Sequence, residues 1–293
     1  MSTQKSIIQY ENTVPETFVR RINRFVAEVL IDGKPERVHV KNTGHLQELL
    51  LPNAKVTLQR ADNPDRTTAY DLISVYKPRL KWVNIDSLAP NELMKQQLMS
   101  LNYDVVKPEH TFGASRFDFY MERDGEKYLT EVKGCTLAAD LKRGIGLFPD
   151  APTERGVKHL DELTAAAKEG YRCQIVFVIQ MNGIHMVFPN DDTQPEFRQA
   201  LVRAEKPVYR LSITAVMWKQ TAYGSQVLSA IPAGMPAVET NKQKDRRELD
   251  ENCSNDVQAS CIVGAQPEGK TDDCKEPYCE AAEQISRISS GGR

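Results

Sequence analysis

No stretch of the chain comes near the ~20 consecutive apolar residues that a membrane helix needs. The segment from Met1 to Asn12 is polar and lacks the apolar centre of a signal peptide. A cytoplasmic protein with no membrane contact is therefore expected. The six cysteines do not form a disulfide framework. Cys135 and Cys173 stand alone in apolar-patterned segments, where a small buried hydrophobe is the usual role. Cys253, Cys261, Cys274 and Cys279 are separated by seven, twelve and four residues, with none of the close C-x₂-C pairs of zinc sites. A strong charge of one sign is also missing. Residues 232–293 hold 8 basic and 12 acidic residues, net −4, and residues 1–231 hold 30 and 28, net +2. Affinity for nucleic acid must then come from local patches.

What is present is a pair of alternating segments, Ser115-Arg116-Phe117-Asp118-Phe119 and Glu131-Val132-Lys133, around Asp124-Gly125. Period-2 alternation reads as half-buried strands, and Asp-Gly as a two-residue hairpin turn. With that turn, Arg123 faces Glu126, Asp118 faces Glu131, and Arg116 faces Lys133. Phe117, Phe119 and Met121 then meet Val132, Thr130 and Tyr128 on the other side. Like charges placed directly opposite destabilise a sheet by up to about 1 kcal/mol. A hairpin alone has no need of that pair. Two carboxylates beside a lysine suit a hard divalent cation and a phosphate. At least one of the two is expected to hold its proton unusually tightly until a cation arrives.

Three regions are expected. Residues 1–86 read as a small β-barrel, with strands at Phe25–Ile31, Glu36–Val40, Val56–Leu58, Ala69–Tyr76 and Leu80–Ile85. Basic and aromatic residues interleave along it, among them Arg20, Arg21, Arg24, Lys41, Tyr76 and Trp82. Such interleaving suits a single-strand-binding face, and equally an ordinary solvated barrel. Residues 87–231 read as a mixed-sheet α/β sandwich. A helix from Pro90 leads to the hairpin, and a long loop runs from Gly134 to Pro152. A second helix, Glu154–Glu169, is capped by Thr153. Its stripe of Val157, Leu160, Leu163 and Ala167 packs, and Arg155, Lys158 and His159 project as a cationic face, with Arg155 or His159 turned toward the carboxylates. Gln174–Gln180 reads as a buried strand, turned back at Asn182-Gly183. Residues 232–293 lack the apolar area to offset ordering entropy and are expected to be disordered.

These residues resemble the sugar fermentation stimulation protein A family. The matching segments are Asn42-Thr43-Gly44, Glu48-Leu49-Leu50, Pro90-Asn91, the hairpin, Thr136-Leu137, Phe148-Pro149-Asp150-Ala151, Thr153-Glu154-Arg155-Gly156 and Lys158-His159-Leu160. They run in order from about residue 20 to 217. The resemblance implies an OB-like barrel, then a domain with the PD-(D/E)XK nuclease fold, with Asp118, Glu131 and Lys133 matching the nuclease triad. It also implies association with DNA. The family's helix after Pro-Asn often carries Glu where this chain has Gln96, with Glu92 one turn upstream.

Three functions are open at this point. One is binding of single- or double-stranded DNA, with Arg24, Lys41, Arg116, Arg155, Lys158 and His159 as contacts. Another is metal-dependent hydrolysis, with Mg²⁺ or Mn²⁺ on Asp118, Glu131 and the Val132 carbonyl. The last is regulation through protein contacts of the acidic tail. DNA binding is the leading expectation. Homo-oligomer formation is left open.

Overall fold

The computed structural model describes residues 7–204 and the strands at 211–220 and 224–227. The acidic tail, with its expected disorder and docking role, lies outside the described residues.

A short strand, β1 (Ile7–Gln9), belongs to the sheet of the second half. The barrel follows as β2 (Thr13–Arg21), β3 (Val26–Ile31), β4 (Lys34–Val40), β5 (Lys55–Arg60) and β6 (Tyr70–Lys77). The strand order is β4-β3-β2-β5-β6, and parallel pairing of His39 with Asp71 and Val40 with Leu72 closes the ring. Asp32 and Gly33 turn β3 into β4 with φ of 52° and 74°, as a tight hairpin requires. Alternate apolar residues fill the interior: Phe18, Ala27, Val29, Val38, Val56, Leu58 and Val75 are all buried. Each large one contributes about 1.5–3 kcal/mol by leaving water.

The stave count is five as expected, but the staves differ. β2 was not counted, because Pro15, Glu16 and a bulge between Phe18 and Arg20 blur its alternation. The segment Leu80–Ile85 is not a stave. Its strand, β7 (Lys81–Asn84), extends from β6 and touches the second half at a Val83–Met181 bridge.

The second half runs α1 (Ala89–Ser100), β8 (Val105–Phe112), β9 (Ser115–Arg123), β10 (Glu126–Cys135), β11 (Leu137–Asp140), β12 (Ile145–Phe148), α2 (Glu154–Lys168), β13 (Arg172–Ile179), β14 (Met186–Pro189), α3 (Pro195–Ala204), β15 (Leu211–Gln220) and β16 (Gly224–Val227). Its main sheet has the order β1-β16-β15-β13-β10-β9-β8. β10, β13 and β15 are parallel, and the flanks are antiparallel. β13 explains the sandwich. Ile175 and Phe177 pack with Leu160, Leu163 and Phe197 of α2 and α3, while Val176 and Val178 pack with Leu93, Met94 and Leu98 of α1. A strand covered on both faces reads as an unbroken apolar run.

Three expectations fail here. The stretch Gly134–Pro152 is not a loop, since β11 and β12 form a second small sheet with β14. Asn182-Gly183 does not fold β13 onto β14, because β14 pairs in parallel with β12. The edge strand β8 was not anticipated. It carries Pro108 and mostly exposed polar residues, and the others are only four residues long, so alternation has little to register.

The two halves share one apolar cluster, to which Leu80, Val83 and Ile85 contribute beside Phe177, Ile179 and Met181. Gln180 joins them by hydrogen bonds. Its Nε2 donates to the carbonyls of Asn84 (3.2 Å) and Asp86 (3.1 Å), and its carbonyl accepts from Asn84 N (2.9 Å).

Candidate functional site

Asp124 and Gly125 take φ of 53° and 76°, and the hairpin register runs as read from Arg123–Glu126 to Phe119–Thr130. The paired ladder stops there. Continued, it would have Val132 N–H donate to the Phe117 carbonyl. Instead Val132 N–H donates to Asp118 Oδ2 at 2.7 Å. Asp118 and Glu131 are therefore not ladder partners, and their direct opposition is relieved.

Phe117 is also displaced from its expected place opposite Val132. It is buried in the α2-side core, edge-on to His159 with ring centroids 5.7 Å apart, while Val132 lies in the α1 layer. On the neighbouring strand Glu109 is left out between the Pro108–Phe119 and His110–Phe117 pairs, with φ of 55°. The kink thus passes through both strands. Arg116 goes with it, to an exposed ion pair with Glu109 (3.6 Å) instead of a place opposite Lys133.

Glu131 is 2 % exposed. Its Oε1 accepts from Lys133 Nζ and from His159 Nδ1, each at 2.5 Å. Arg155 Nε donates to His159 Nε2 at 3.2 Å, so Nε2 is the acceptor and the ring proton sits on Nδ1, facing Glu131. His159 is buried and turned toward the carboxylates, as expected of it or Arg155, and so it is not the DNA contact on the helix surface that was also expected. Gly156 and Leu160 share that inner side of α2, and Thr153 caps the helix by accepting from Gly156 N. The second oxygen, Oε2, is buried without a partner.

The two carboxylates are driven apart in acidity. Burial acts first to raise the pKa of Glu131, but the His159 bond and the Lys133 charge outweigh it and hold it below its ordinary value. Burial, then the charge of Glu131, pushes Asp118 up, against Val132 N–H, Lys133 and Asn91. One carboxylate is firmly ionised, and the other retains its proton to higher pH. This matches the expectation that at least one of the two holds its proton unusually tightly.

Asp118, Glu131, Val132, Lys133 and Arg155 line a cleft of about 890 Å³ between the barrel and the second half. Asn23, Arg24 and the Asn42–His45 segment form the barrel's side of it, and Phe148–Thr153 another wall. Arg24 reaches the cleft as expected, but Lys41 does not. Its Nζ lies 3.0 Å from Asp86 and 3.5 Å from Asp71, an ion-paired lysine between two aspartates. Lys158 is also off the cleft, donating to the Ala114 carbonyl (3.2 Å) and 3.7 Å from Glu162.

Three residues at the cleft stand outside the site residues expected from sequence. Asn91 Nδ2 donates to Asp118 Oδ1 at 2.7 Å. Gln96 and Glu92, by contrast, bond each other on the exposed side of α1, away from the cleft. The matched Pro-Asn pair was the available signal for Asn91. Gln180 and Arg21 also line the cleft, and nothing in their local pattern separates them from ordinary strand residues.

A closed five-stranded barrel of the OB type, joined to a mixed-sheet α/β domain with an acid–acid–lysine site at their junction, defines a two-domain class of protein. Residues 19–85 match the model described as the SfsA N-terminal OB domain, and residues 86–221 match the sugar fermentation stimulation protein RE domain. The chain belongs to the sugar fermentation stimulation protein family. A sugar fermentation stimulation protein homolog of Desulfitobacterium hafniense is 48% identical over 202 residues, covering 68% of this chain and 87% of that protein. One of Ruminiclostridium cellulolyticum is 44% identical over 210 residues, covering 70% and 89%. Among solved structures, Pyrococcus furiosus SfsA in complex with Ca²⁺ aligns with a TM-score of 0.67 at 23% identity, covering 76% of this chain and 96% of that one. The likeness in fold extends over both domains. No helix among the described residues is long and apolar enough to cross a membrane.

Proposed function

We propose that the chain binds DNA in the cleft between its two domains, with a divalent cation between the carboxylates and a phosphate. The observation that carries this is the buried Glu131 Oε2, which has no partner in a site where every other polar group of the carboxylate pair is engaged. A buried polar atom left unpaired costs about 1–3 kcal/mol, and more when charged. A cation at that oxygen would remove the penalty.

The donor set fits a hard ion. Asp118 and Glu131 supply carboxylate oxygens. In a strand, N–H and C=O of one residue point to the same edge, so the Val132 carbonyl opens onto the gap its N–H marks. Among the described residues no group of three or more His, Cys, Asp or Glu converges as a closed cage. Two carboxylates and one carbonyl leave positions for water and phosphate, the usual arrangement for Mg²⁺ or Mn²⁺. The Ca²⁺ complex of the Pyrococcus furiosus protein supports a divalent ion here.

A second reading, hydrolysis of a phosphodiester, is favoured by Lys133, whose Nζ lies against Glu131 at the cleft wall. A bound Mg²⁺ or Mn²⁺ would supply charge neutralisation and a more acidic water. Lys133 would steady the attacking oxygen, and Arg155 a phosphate oxygen. Arg155 is itself oriented by His159, so the cation-facing and phosphate-facing groups are coupled through one imidazole. This arrangement is nuclease-like.

The test is incubation of the protein with single-stranded, duplex and branched DNA in Mg²⁺, Mn²⁺ or EDTA, beside Asp118→Ala. Cation-dependent binding lost in Asp118→Ala supports the first reading, and cation-dependent cleavage supports the second. Binding that ignores both EDTA and Asp118→Ala would separate DNA from this site.

A further inference from the structure

The turn between β2 and β3 stands at the rim of the cleft, and its construction is unusual. Every N–H direction of the Arg21 guanidinium ends on a main-chain carbonyl. Nε donates to Asn23 (3.2 Å), Nη1 to Gly44 (2.6 Å) and His45 (2.7 Å), and Nη2 to Arg24 and Asn42 (2.7 Å each). Asn23 Oδ1 accepts from Phe25 N (2.8 Å) and Val26 N (3.0 Å). One side chain therefore ties the turn to the segment that walls the cleft, and another closes the turn itself.

Held on this tied backbone is a partly exposed aromatic ring. Phe25 is 52 % exposed, and Ile22 at the other side of the turn is 37 % exposed. The turn does not need a ring there, since the bonds at position 25 are made by its main chain. Arg24, the residue before it in the chain, lines the cleft.

We propose that Phe25 is a stacking platform for an unpaired nucleobase, at the point where a single strand enters the cleft. This rests on the reading that the cleft binds DNA. A base stacked on Phe25 would place its phosphate toward Arg24 and the strand toward Arg155 and Lys133. Ring and base each lose apolar surface to water, and the backbone that carries the ring is already tied down. The face of a paired base is covered by its neighbours in a duplex, so the platform would favour single strands.

The experiment measures affinity of the full chain for a fluorescent oligothymidine and for a duplex at fixed salt, with Mg²⁺ present. Phe25→Ala is expected to weaken single-strand binding about tenfold, leave duplex binding and the slope against salt unchanged, and keep the wild-type melting temperature. Phe25→Trp is expected to restore affinity, with emission of the new indole quenched by the strand. Equal single-strand affinity in Phe25→Ala and wild type would overturn the stacking role while leaving the cleft reading standing. A wild type that binds neither DNA would overturn both.

Discussion

Asp118→Asn separates the charge balance of the site from its architecture. Burial and the charge of Glu131 raise the pKa of Asp118 in the folded protein. For a carboxyl shifted upward, stability is fully present below the unfolded value and is lost as pH rises through the folded one. At about neutral pH the wild type therefore carries a cost that the amide removes. The amide oxygen can still accept from Val132 N–H, and Asn91 can turn its own oxygen to the new NH₂. The variant without cation should be at least as stable as the wild type.

The cation reverses the order. At about 100 times its Kd, a ligand that binds only the folded state adds about 2.7 kcal/mol. The shared core argues that both domains unfold together, and over about 200 residues the unfolding entropy is about 0.4 kcal/mol/K. The wild-type melting temperature should then rise by about 6 °C with saturating Mn²⁺, Mg²⁺ or Ca²⁺, and that of Asp118→Asn by almost nothing. Scanning fluorimetry or calorimetry at about neutral pH reads both. An equal rise in the two proteins would place the ion elsewhere, and a marked loss of cation-free stability in Asp118→Asn would refute the charge argument.

Glu131→Gln should behave in the opposite way and lose about 1.5–3 kcal/mol in urea without any cation, because the bonds from Lys133 and His159 lose their charge. The cation-induced rise of the wild type should shrink on acidification, with a midpoint above the ordinary aspartate value, since protonated Asp118 is a poor ligand. Gly134→Ala should destabilise by about 1–3 kcal/mol, read by denaturation, because its methyl would sit 2.2 Å from Gln180 Oε1 and displace the side chain that joins the domains. Arg21→Lys cannot reach five carbonyls from one ammonium, so amide exchange at Phe25 and Val26 should quicken.

Periodicity carried the sequence reading far where strands are long and enclosed. The Asp124-Gly125 turn set the hairpin register by local sterics alone, and β13 announced itself by burial on both faces. It failed where one side chain replaces a main-chain partner. No period shows that Asp118 takes the Val132 donor, or that Phe117 then leaves its expected face. Charge was misleading for a related reason. Lys41, Arg21 and His159 look alike as surface cations in sequence, yet each is held by partners from a distant segment, at Asp86, Gly44 and Glu131. Long-range pairing of that sort leaves no local trace.

The apolar cluster that runs from the barrel into the sandwich has a consequence for how such a chain can change over generations. Leu80, Val83 and Ile85 have neighbours on both sides of the junction, and Gln180 answers to carbonyls of the other half. Neither half can be exchanged for a stranger without exposing a wall built to fit its mate. The halves are bound to drift as a couple, and a recombination point near residue 86 should breed poorly folded offspring even where each parent is sound.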